Sequence, residues 1–141
     1  MSPECESTHP PHVVLLVEDS HDSREALRLL LEVEGFQVVT AGTAIEALRL
    51  VTSQGVHPCI ILLDLVMPIV DGLAFRRQLL DVPGLASTPV VALTGHEPMR
   101  RRAEAEGFFR ALLKPTDIDE LIGLVGDHCP RTGREPQTGS G

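Results

Sequence analysis

The sequence predicts a doubly wound α/β fold built from five strand–helix units. Short apolar runs alternate with segments of helical periodicity along most of the chain. Three of these runs, at Val13–Val17, Cys59–Leu63 and Pro89–Leu93, are apolar throughout, as is typical of strands buried on both faces of a parallel sheet. The strand–helix alternation implies right-handed crossovers, which place helices on both faces of that sheet.

The other elements follow from weaker local signals. Two further strands are predicted at Gln37–Thr40 and Ala111–Leu113. Ser20 has the position of an N-cap for the first helix, and Thr43 with Glu46 has the spacing of a capping box for the second. Gly and Pro residues mark the helix ends. The predicted helices span about residues 22–34, 43–54, 73–82, 97–107 and 116–127.

The chain is predicted to consist of one folded body between two tails. Its length of 141 residues fits a single domain. Residues 1–11 and 128–141 are rich in Pro, Gly, Ser and Thr, which favours flexible tails. We therefore expect the domain at residues 12–127.

Composition excludes several classes of function. A formal net charge of −8 argues against nucleic acid as a partner, because binding to phosphates needs a basic surface. No apolar run approaches the roughly 20 residues that span a bilayer. The N-terminus lacks the features of a secretory signal, so we expect a cytoplasmic protein without a membrane partner.

The cysteines predict neither a disulfide nor a zinc site. The chain has three of them, Cys5, Cys59 and Cys129, and no pair has metal-site spacing. Two fall in the predicted tails, and Cys59 opens an apolar run where it suits a small buried side chain. We expect reduced thiols, in agreement with a cytoplasmic setting.

Polar side chains follow four of the predicted strands. Glu18 and Asp19 come after the first, Asp64 ends the third, Thr94 follows the fourth, and Lys114, the only lysine, follows the fifth. Open α/β sheets bind ligands at the carboxyl ends of their strands. Three carboxylates, one hydroxyl and one ammonium are therefore predicted to meet at one edge.

This set of side chains has the chemistry of phosphoryl transfer. Neighbouring carboxylates repel one another and need a cation or a proton, and Mg²⁺ is a hard cation that prefers oxygen ligands. Lys114 can neutralise a phosphoryl oxygen, Thr94 can donate a hydroxyl hydrogen, and Asp64 remains as a nucleophile. Phosphoryl transfer depends mainly on positioning and charge neutralisation, which these groups provide.

The chain resembles the receiver domain of bacterial two-component response regulators, including the chemotaxis-regulator type. The matching stretches are VVLLVEDS at 13–20, ILLDLVMPIVDGL at 61–73, PVVALTGH at 89–96 and LLKP at 112–115. The resemblance covers roughly residues 12–127. It implies a flavodoxin-like fold with a five-stranded parallel sheet in the order 2-1-3-4-5.

The resemblance also implies roles for single residues. Asp64 would accept a phosphoryl group from a phosphohistidine on a histidine kinase or a histidine phosphotransfer protein. Thr94 and Lys114 would contact that group, and the Lys114–Pro115 peptide bond would be cis. The implied protein ligands of Mg²⁺ are the carboxylates of Glu18, Asp19 and Asp64 and the backbone carbonyl of Val66.

Three positions affect how such a domain would be regulated. Ala111 stands where many receivers carry an aromatic residue that turns inward with the Thr, so the usual output switch is incomplete. His96 could modulate loss of the phosphoryl group or be an ordinary exposed loop residue. The run Arg100–Arg102 could be a solvated helix face or a docking patch for a partner.

Two other functions remain open on sequence alone. A receiver-like interaction or dimerisation module that is not phosphorylated would agree with Ala111. A Mg²⁺-dependent aspartyl-phosphate hydrolase would usually need a second Asp two residues after the nucleophile, where Val66 stands. The kinase, any downstream protein partner, homodimerisation and the relation to a longer hybrid kinase also remain open.

Overall fold

A computed structural model describes residues 12–65 and 69–131, with residues 69–73 described by their backbone alone. Five strands and five helices alternate along these segments. The strands are β1 (Val13–Val17), β2 (Val38–Ala41), β3 (Pro58–Asp64), β4 (Val90–Thr94) and β5 (Arg110–Leu113). The helices are α1 (His21–Val33), α2 (Ala44–Ser53), α3 (Ile69–Leu80), α4 (Glu97–Ala105) and α5 (Ile118–His128).

The strands form one parallel sheet in the order β2-β1-β3-β4-β5, which confirms the predicted fold. Its register aligns the ends of the central strands. Asp64 lies beside Leu93, and Thr94 lies beside Leu113. The polar residues that end β3 and β4 are therefore brought to the same edge by backbone pairing alone.

Each face of the sheet is covered by its own set of helices. Because successive strand side chains point to opposite faces, Leu15 and Leu16 of β1 enter different apolar clusters. The cluster around Leu15 is completed from α2, α3 and α4, mainly by Ala47, Val51, Phe75, Leu79 and Ala103. The cluster around Leu16 is completed from α1 and α5, mainly by Leu31, Leu121 and Val125.

The predicted caps are present at the starts of α1 and α2. Ser20 Oγ accepts from the Ser23 amide at 3.4 Å, and Thr43 Oγ1 accepts from the Glu46 amide at 3.0 Å. The Glu46 carboxylate reaches back one residue further than a standard capping box requires. It accepts from the Gly42 amide at 2.8 Å, which links α2 to the end of β2.

The predicted start of α3 after Gly72 is wrong. The helix begins at Ile69 and ends at Leu80, so Gly72 lies inside it. A helix-interior glycine costs about 1 kcal/mol relative to alanine, and this cost made a boundary at Gly72 the expected choice. Burial of Phe75 and Leu79 against the sheet outweighs that local preference.

The surface of α4 agrees with the simpler interpretation of its arginine run. Arg100 pairs with Glu97 at 2.5 Å and with Glu104 at 3.4 Å, and Arg102 pairs with Glu106 at 3.2 Å. These pairs lie within α4 and its C-cap residue Glu106, as is typical of a solvated helix face. No helix in the described segments has both the length and the apolar character needed to cross a bilayer.

The expectation of unpaired cysteines is wrong for Cys59 and Cys129, which form a disulfide. Helix α5 continues to His128, one residue beyond the predicted domain end, and Cys129 is buried beneath it. The two residues are 70 positions apart in sequence, but their Cα atoms lie 5.5 Å apart. That separation is within the usual span for a disulfide and could not be foreseen from cysteine spacing.

We expect this disulfide to stabilise the fold by closing a long loop in the unfolded chain. Reduction should lower the free energy of unfolding by up to about 4 kcal/mol, measured by urea unfolding with and without dithiothreitol. Cys59→Ser should match the reduced protein, whereas Cys5→Ser should behave as the parent chain. An unchanged free energy of unfolding after reduction would show that the pair does not form in solution.

Candidate functional site

The buried polar side chains of the described residues lie together at the carboxyl edge of the sheet. They are Glu18, Asp64 and Thr94, which are 6%, 2% and 2% exposed. Glu18 directly follows β1, Asp64 ends β3 and Thr94 ends β4. Burial of polar groups costs free energy, so their concentration at a single edge indicates a functional site.

The two oxygens of the Asp64 carboxylate differ in their hydrogen bonding. Its Oδ2 accepts a hydrogen bond from Lys114 Nζ, as part of an ion pair in which the lysine side chain is 36% exposed. Its Oδ1 is buried and has no hydrogen-bond partner among the described residues. While Glu18 is ionised this buried oxygen has no donor, which is costly, so Oδ1 can serve as a ligand or nucleophile.

A backbone hydrogen bond to β4 holds Lys114 in this position. The Lys114 amide donates to the Thr94 carbonyl at 2.7 Å, which extends the β4–β5 pairing by one residue. The Lys114–Pro115 peptide bond is cis, as the sequence resemblance implied. The only lysine of the chain is thus directed at the carboxylate that ends β3.

Glu18 is the second acid of the site. Its Oε2 accepts from the Ser20 amide at 3.0 Å, and its side chain is almost fully buried. Burial, reinforced by the neighbouring Asp64 carboxylate, raises the pKa of Glu18 to about 7. Two buried carboxylates in contact require either a proton or a cation between them.

The predicted convergence of three carboxylates is seen for only two. Asp19 is exposed, and no three acidic, histidine or cysteine side chains gather as a metal site in the described part of the chain. Strand register places Glu18, but it does not orient a side chain in the turn that follows. Val66, the fourth implied ligand, lies outside the described residues. Glu18 and the unpartnered Asp64 oxygen nevertheless suit a hard cation such as Mg²⁺.

Thr94 connects the acidic pair to α4. Its hydroxyl donates to Met99 Sδ at 3.5 Å and accepts from the His96 amide at 3.2 Å. His96 is the N-cap of α4, but its side chain is exposed and makes no capping bond. The sequence indicated Thr94 and His96, but it contained no signal for Met99, which approaches through the fold.

Ala111 is a core residue. It lies beside Ala92 in the sheet and is buried. Phe108 is buried in the same apolar cluster, whereas Phe109 is 44% exposed and packs edge-to-face on His128. Both Phe residues precede β5, and β5 itself contains no aromatic residue that could replace the one many receivers carry at the position of Ala111.

A cavity of about 310 Å³ opens beside Asp64 between α1 and α5. Its polar side is formed by Glu18, Asp64 and Lys114. Its apolar and neutral side is formed by Ser23, Leu27, Leu93, Pro115, Thr116, Ile118 and Leu121. The acidic pair is therefore reachable from outside by a group of phosphoryl size.

Comparison with known proteins agrees with this geometry. The protein-family model described as 'Response regulator receiver domain' matches residues 14–126 of the sequence. The chain belongs to this family. Receiver domains are signalling domains of two-component systems; they bind Mg²⁺ at the phosphorylation site and interact with histidine kinases and downstream effectors.

Several individual proteins are similar to this receiver domain. An uncharacterised 14.6 kDa protein of Leptolyngbya boryana is 37% identical over 82% of this chain and 88% of its own length. Two-component system protein A of Emericella nidulans is 36% identical over 86% of this chain, which spans only 18% of that relative. The structure of chemotaxis protein CheY4 of Vibrio cholerae is 26% identical, with a TM-score of 0.71, and the match covers 84% and 99% of the two chains.

The raised pKa of Glu18 predicts a pH dependence of stability in the metal-free domain. Between the ordinary pKa of 4.5 and about 7, the folded chain holds a proton that the unfolded chain has lost. The free energy of unfolding should therefore fall as pH rises through this range, by at most about 3 kcal/mol. Urea unfolding at several pH values measures this slope. Glu18→Gln should flatten it, and an equal slope in that variant would contradict the assignment.

Proposed function

We propose that this receiver domain accepts a phosphoryl group on Asp64 from the phosphohistidine of a histidine kinase or a histidine phosphotransfer protein. One observation carries the proposal. Asp64 is buried at the end of β3, with one oxygen bound by Lys114 and the other without a partner. Lys114 holds this carboxylate in place, and its second oxygen is available to attack a phosphorus atom.

The proposed transfer uses the free oxygen of Asp64 as nucleophile. Oδ1 forms a bond to phosphorus as the bond from phosphorus to the histidine nitrogen breaks, and the imidazole leaves with the electron pair. Lys114, at Oδ2 beforehand, is close enough to neutralise a phosphoryl oxygen. The Thr94 hydroxyl can turn from Met99 to donate to another oxygen of the same group.

Mg²⁺ is the cofactor of this proposal. The residues that would hold it are Glu18 and Asp64, with Asp19 and the Val66 carbonyl as the ligands that the family pattern adds. When bound, the ion supplies positive charge against the phosphoryl oxygens. With such positive charge nearby, Glu18 would be held as the carboxylate rather than as the protonated acid.

We also propose that the domain is not a turnover enzyme, although it assists its own phosphorylation and dephosphorylation. The position two residues after Asp64 is Val66, which supplies no acid or base for repeated hydrolysis. His96 lies next to the Thr94 hydroxyl through its backbone amide at 3.2 Å. We propose that its exposed side chain influences water near the site, and so the lifetime of the acyl phosphate.

The signal would leave the domain by contact with a downstream protein or by onward phosphotransfer. We propose that the domain extends from about residue 12 to at least Cys129, since α5 and the disulfide continue past residue 127. We also propose that these exchanges take place in the cytoplasm. Disulfides are uncommon in that compartment. Alkylation of thiols in freshly lysed cells would show whether Cys59 and Cys129 are paired where the protein works.

Met99 offers an output route in a receiver that lacks an aromatic residue at position 111. Its sulfur accepts from the Thr94 hydroxyl, and its side chain packs against the cluster that holds α4 on the sheet. If Thr94 turns to a phosphoryl oxygen, Met99 loses that donor and the contact between α4 and β4 changes. A partner that binds α4 could detect this change.

Phosphorylation of Asp64 is tested by incubation with acetyl phosphate and Mg²⁺ followed by intact-mass measurement. We expect one added phosphoryl mass in the parent chain and none in Asp64→Asn. Asp127→Asn, an exposed change on α5, is the matched control and should be modified like the parent.

Each rival function has its own outcome in that assay. A phosphorylation-independent module would show no adduct in any variant, and an adduct that persists in Asp64→Asn would assign the acceptor elsewhere. Sustained release of phosphate from small phosphomonoesters over many turnovers would instead support a hydrolase.

The role of Met99 is tested by NMR of methyl-labelled methionine in the full chain, with Met99→Leu used for assignment. We expect the Met99 methyl resonance to shift on addition of acetyl phosphate and Mg²⁺, because the sulfur loses its hydroxyl donor. The same addition to Asp64→Asn should leave the resonance in place. A resonance that stays fixed while Asp64 is phosphorylated would exclude this route.

A further inference from the structure

We infer that Arg24 is a positioning residue for the Mg²⁺-binding turn, and that it acts by holding the backbone of Glu18. This inference rests on the proposed function, because it concerns the metal that the acidic pair would bind. Arg24 itself does not reach the reacting atoms. Its contact is with the main chain of the residue that supplies one of the two buried carboxylates.

The backbone of Glu18 is held from two directions. Its amide donates to the Ala41 carbonyl at 3.0 Å, which continues the pairing of β1 with β2. Its carbonyl accepts from Arg24 Nη1 at 2.9 Å. The Ser20 amide, at 3.0 Å from the Glu18 carboxylate, then fixes the side chain. Of these three bonds, the one from Arg24 is the only one donated by a side chain.

The guanidinium of Arg24 lies near the first residue of α1 and near the turn that follows β2. Nη2 lies 3.2 Å from His21 Nδ1, and since a guanidinium can only donate, that nitrogen must be the acceptor. On the other side lies Gly42, where an added Cβ would be 3.2 Å from Nη1. The Gly42 amide is in turn bonded to Glu46 at the start of α2.

This arrangement matters because the Glu18 carboxylate is close to a second buried carboxylate, that of Asp64. The Glu18 carboxylate is buried at the end of β1, next to the buried Asp64 carboxylate at the end of the paired strand β3, and two ionised carboxylates there repel each other. A carboxylate in that position gains free energy by turning outward to water. The Arg24 bond opposes such a rotation of the turn, which leaves the acid directed inward for a cation. Groups that orient a metal ligand typically affect metal affinity by 10–100-fold.

Arg28, one helical turn further along α1, provides a matched control. It pairs with Glu25 at 2.5 Å and with Glu32 at 2.8 Å, all on α1. Loss of Arg28 removes two ion pairs of the helix but no contact with the site. A general weakening of α1 would therefore appear in Arg28→Ala, whereas an effect on the turn would appear only at Arg24.

The experiment is a titration of the full chain with Mg²⁺ alone, followed by isothermal calorimetry, with urea unfolding of every variant in parallel. Arg24→Ala should weaken Mg²⁺ binding by about tenfold. Arg24→Lys keeps one donor for the Glu18 carbonyl and should recover most of that loss. Arg28→Ala should leave Mg²⁺ affinity unchanged, whatever its effect on unfolding.

Hydrogen exchange gives a readout that needs no metal. In Arg24→Ala the Ser20 amide should exchange faster than in the parent, because its acceptor on Glu18 is no longer held. Gly42→Ala offers a second variant that retains the arginine but crowds its guanidinium. It should weaken Mg²⁺ binding in the same direction as Arg24→Ala, which keeps the test valid if that variant does not fold.

Each outcome decides the inference. Equal Mg²⁺ affinity in the parent, Arg24→Ala and Gly42→Ala would overturn it, as would equal losses in Arg24→Ala and Arg28→Ala or failure of the parent to bind Mg²⁺. A parent that binds Mg²⁺ and loses affinity in Arg24→Ala, but gains no phosphoryl mass, would retain the role of Arg24 and remove the proposed function. A parent that is phosphorylated while Arg24→Ala binds Mg²⁺ normally would do the reverse.

Discussion

The contact between two buried carboxylates, Glu18 and Asp64, is the constraint on which the rest of the site depends. In water these groups would separate, but parallel pairing of β1 with β3 keeps them together at one edge of the sheet. Lys114 neutralises one oxygen of Asp64, and the raised pKa of Glu18 shows that a proton can meet the remaining repulsion. In the proposed function a bound Mg²⁺ would supply positive charge in place of that proton.

Backbone hydrogen bonds join the ends of β3, β4 and β5 next to the buried carboxylates. Backbone bonds of 2.7 Å continue beyond the strand ends, from the Leu65 amide to the Leu93 carbonyl and from the Lys114 amide to the Thr94 carbonyl. Because these bonds hold the three strand ends in register, Thr94 and Lys114 are the neighbouring polar side chains that the proposed phosphoryl group on Asp64 would meet. Side chains that can move, rather than the sheet, must therefore carry the response. Met99 is the one that Thr94 contacts on α4.

The domain keeps the reactive edge and the stabilising disulfide at opposite ends of β3. Asp64 is the last residue of that strand, and Cys59 lies near its start, tied to the end of α5. The helix that forms one wall of the cavity beside Asp64 is thus attached covalently at its far end.

The sequence by itself determined the fold class and the edge where Glu18, Asp64, Thr94 and Lys114 meet, and its resemblance to receiver domains implied the strand order. It could do so because apolar runs specify buried parallel strands and because parallel strands end on one side. The tertiary structure alone decided the start of α3 at Ile69, the pairing of Cys59 with Cys129 and the exposure of Asp19. Each of these depends on packing or on contacts between residues distant in sequence, and no local pattern of residues encodes such contacts.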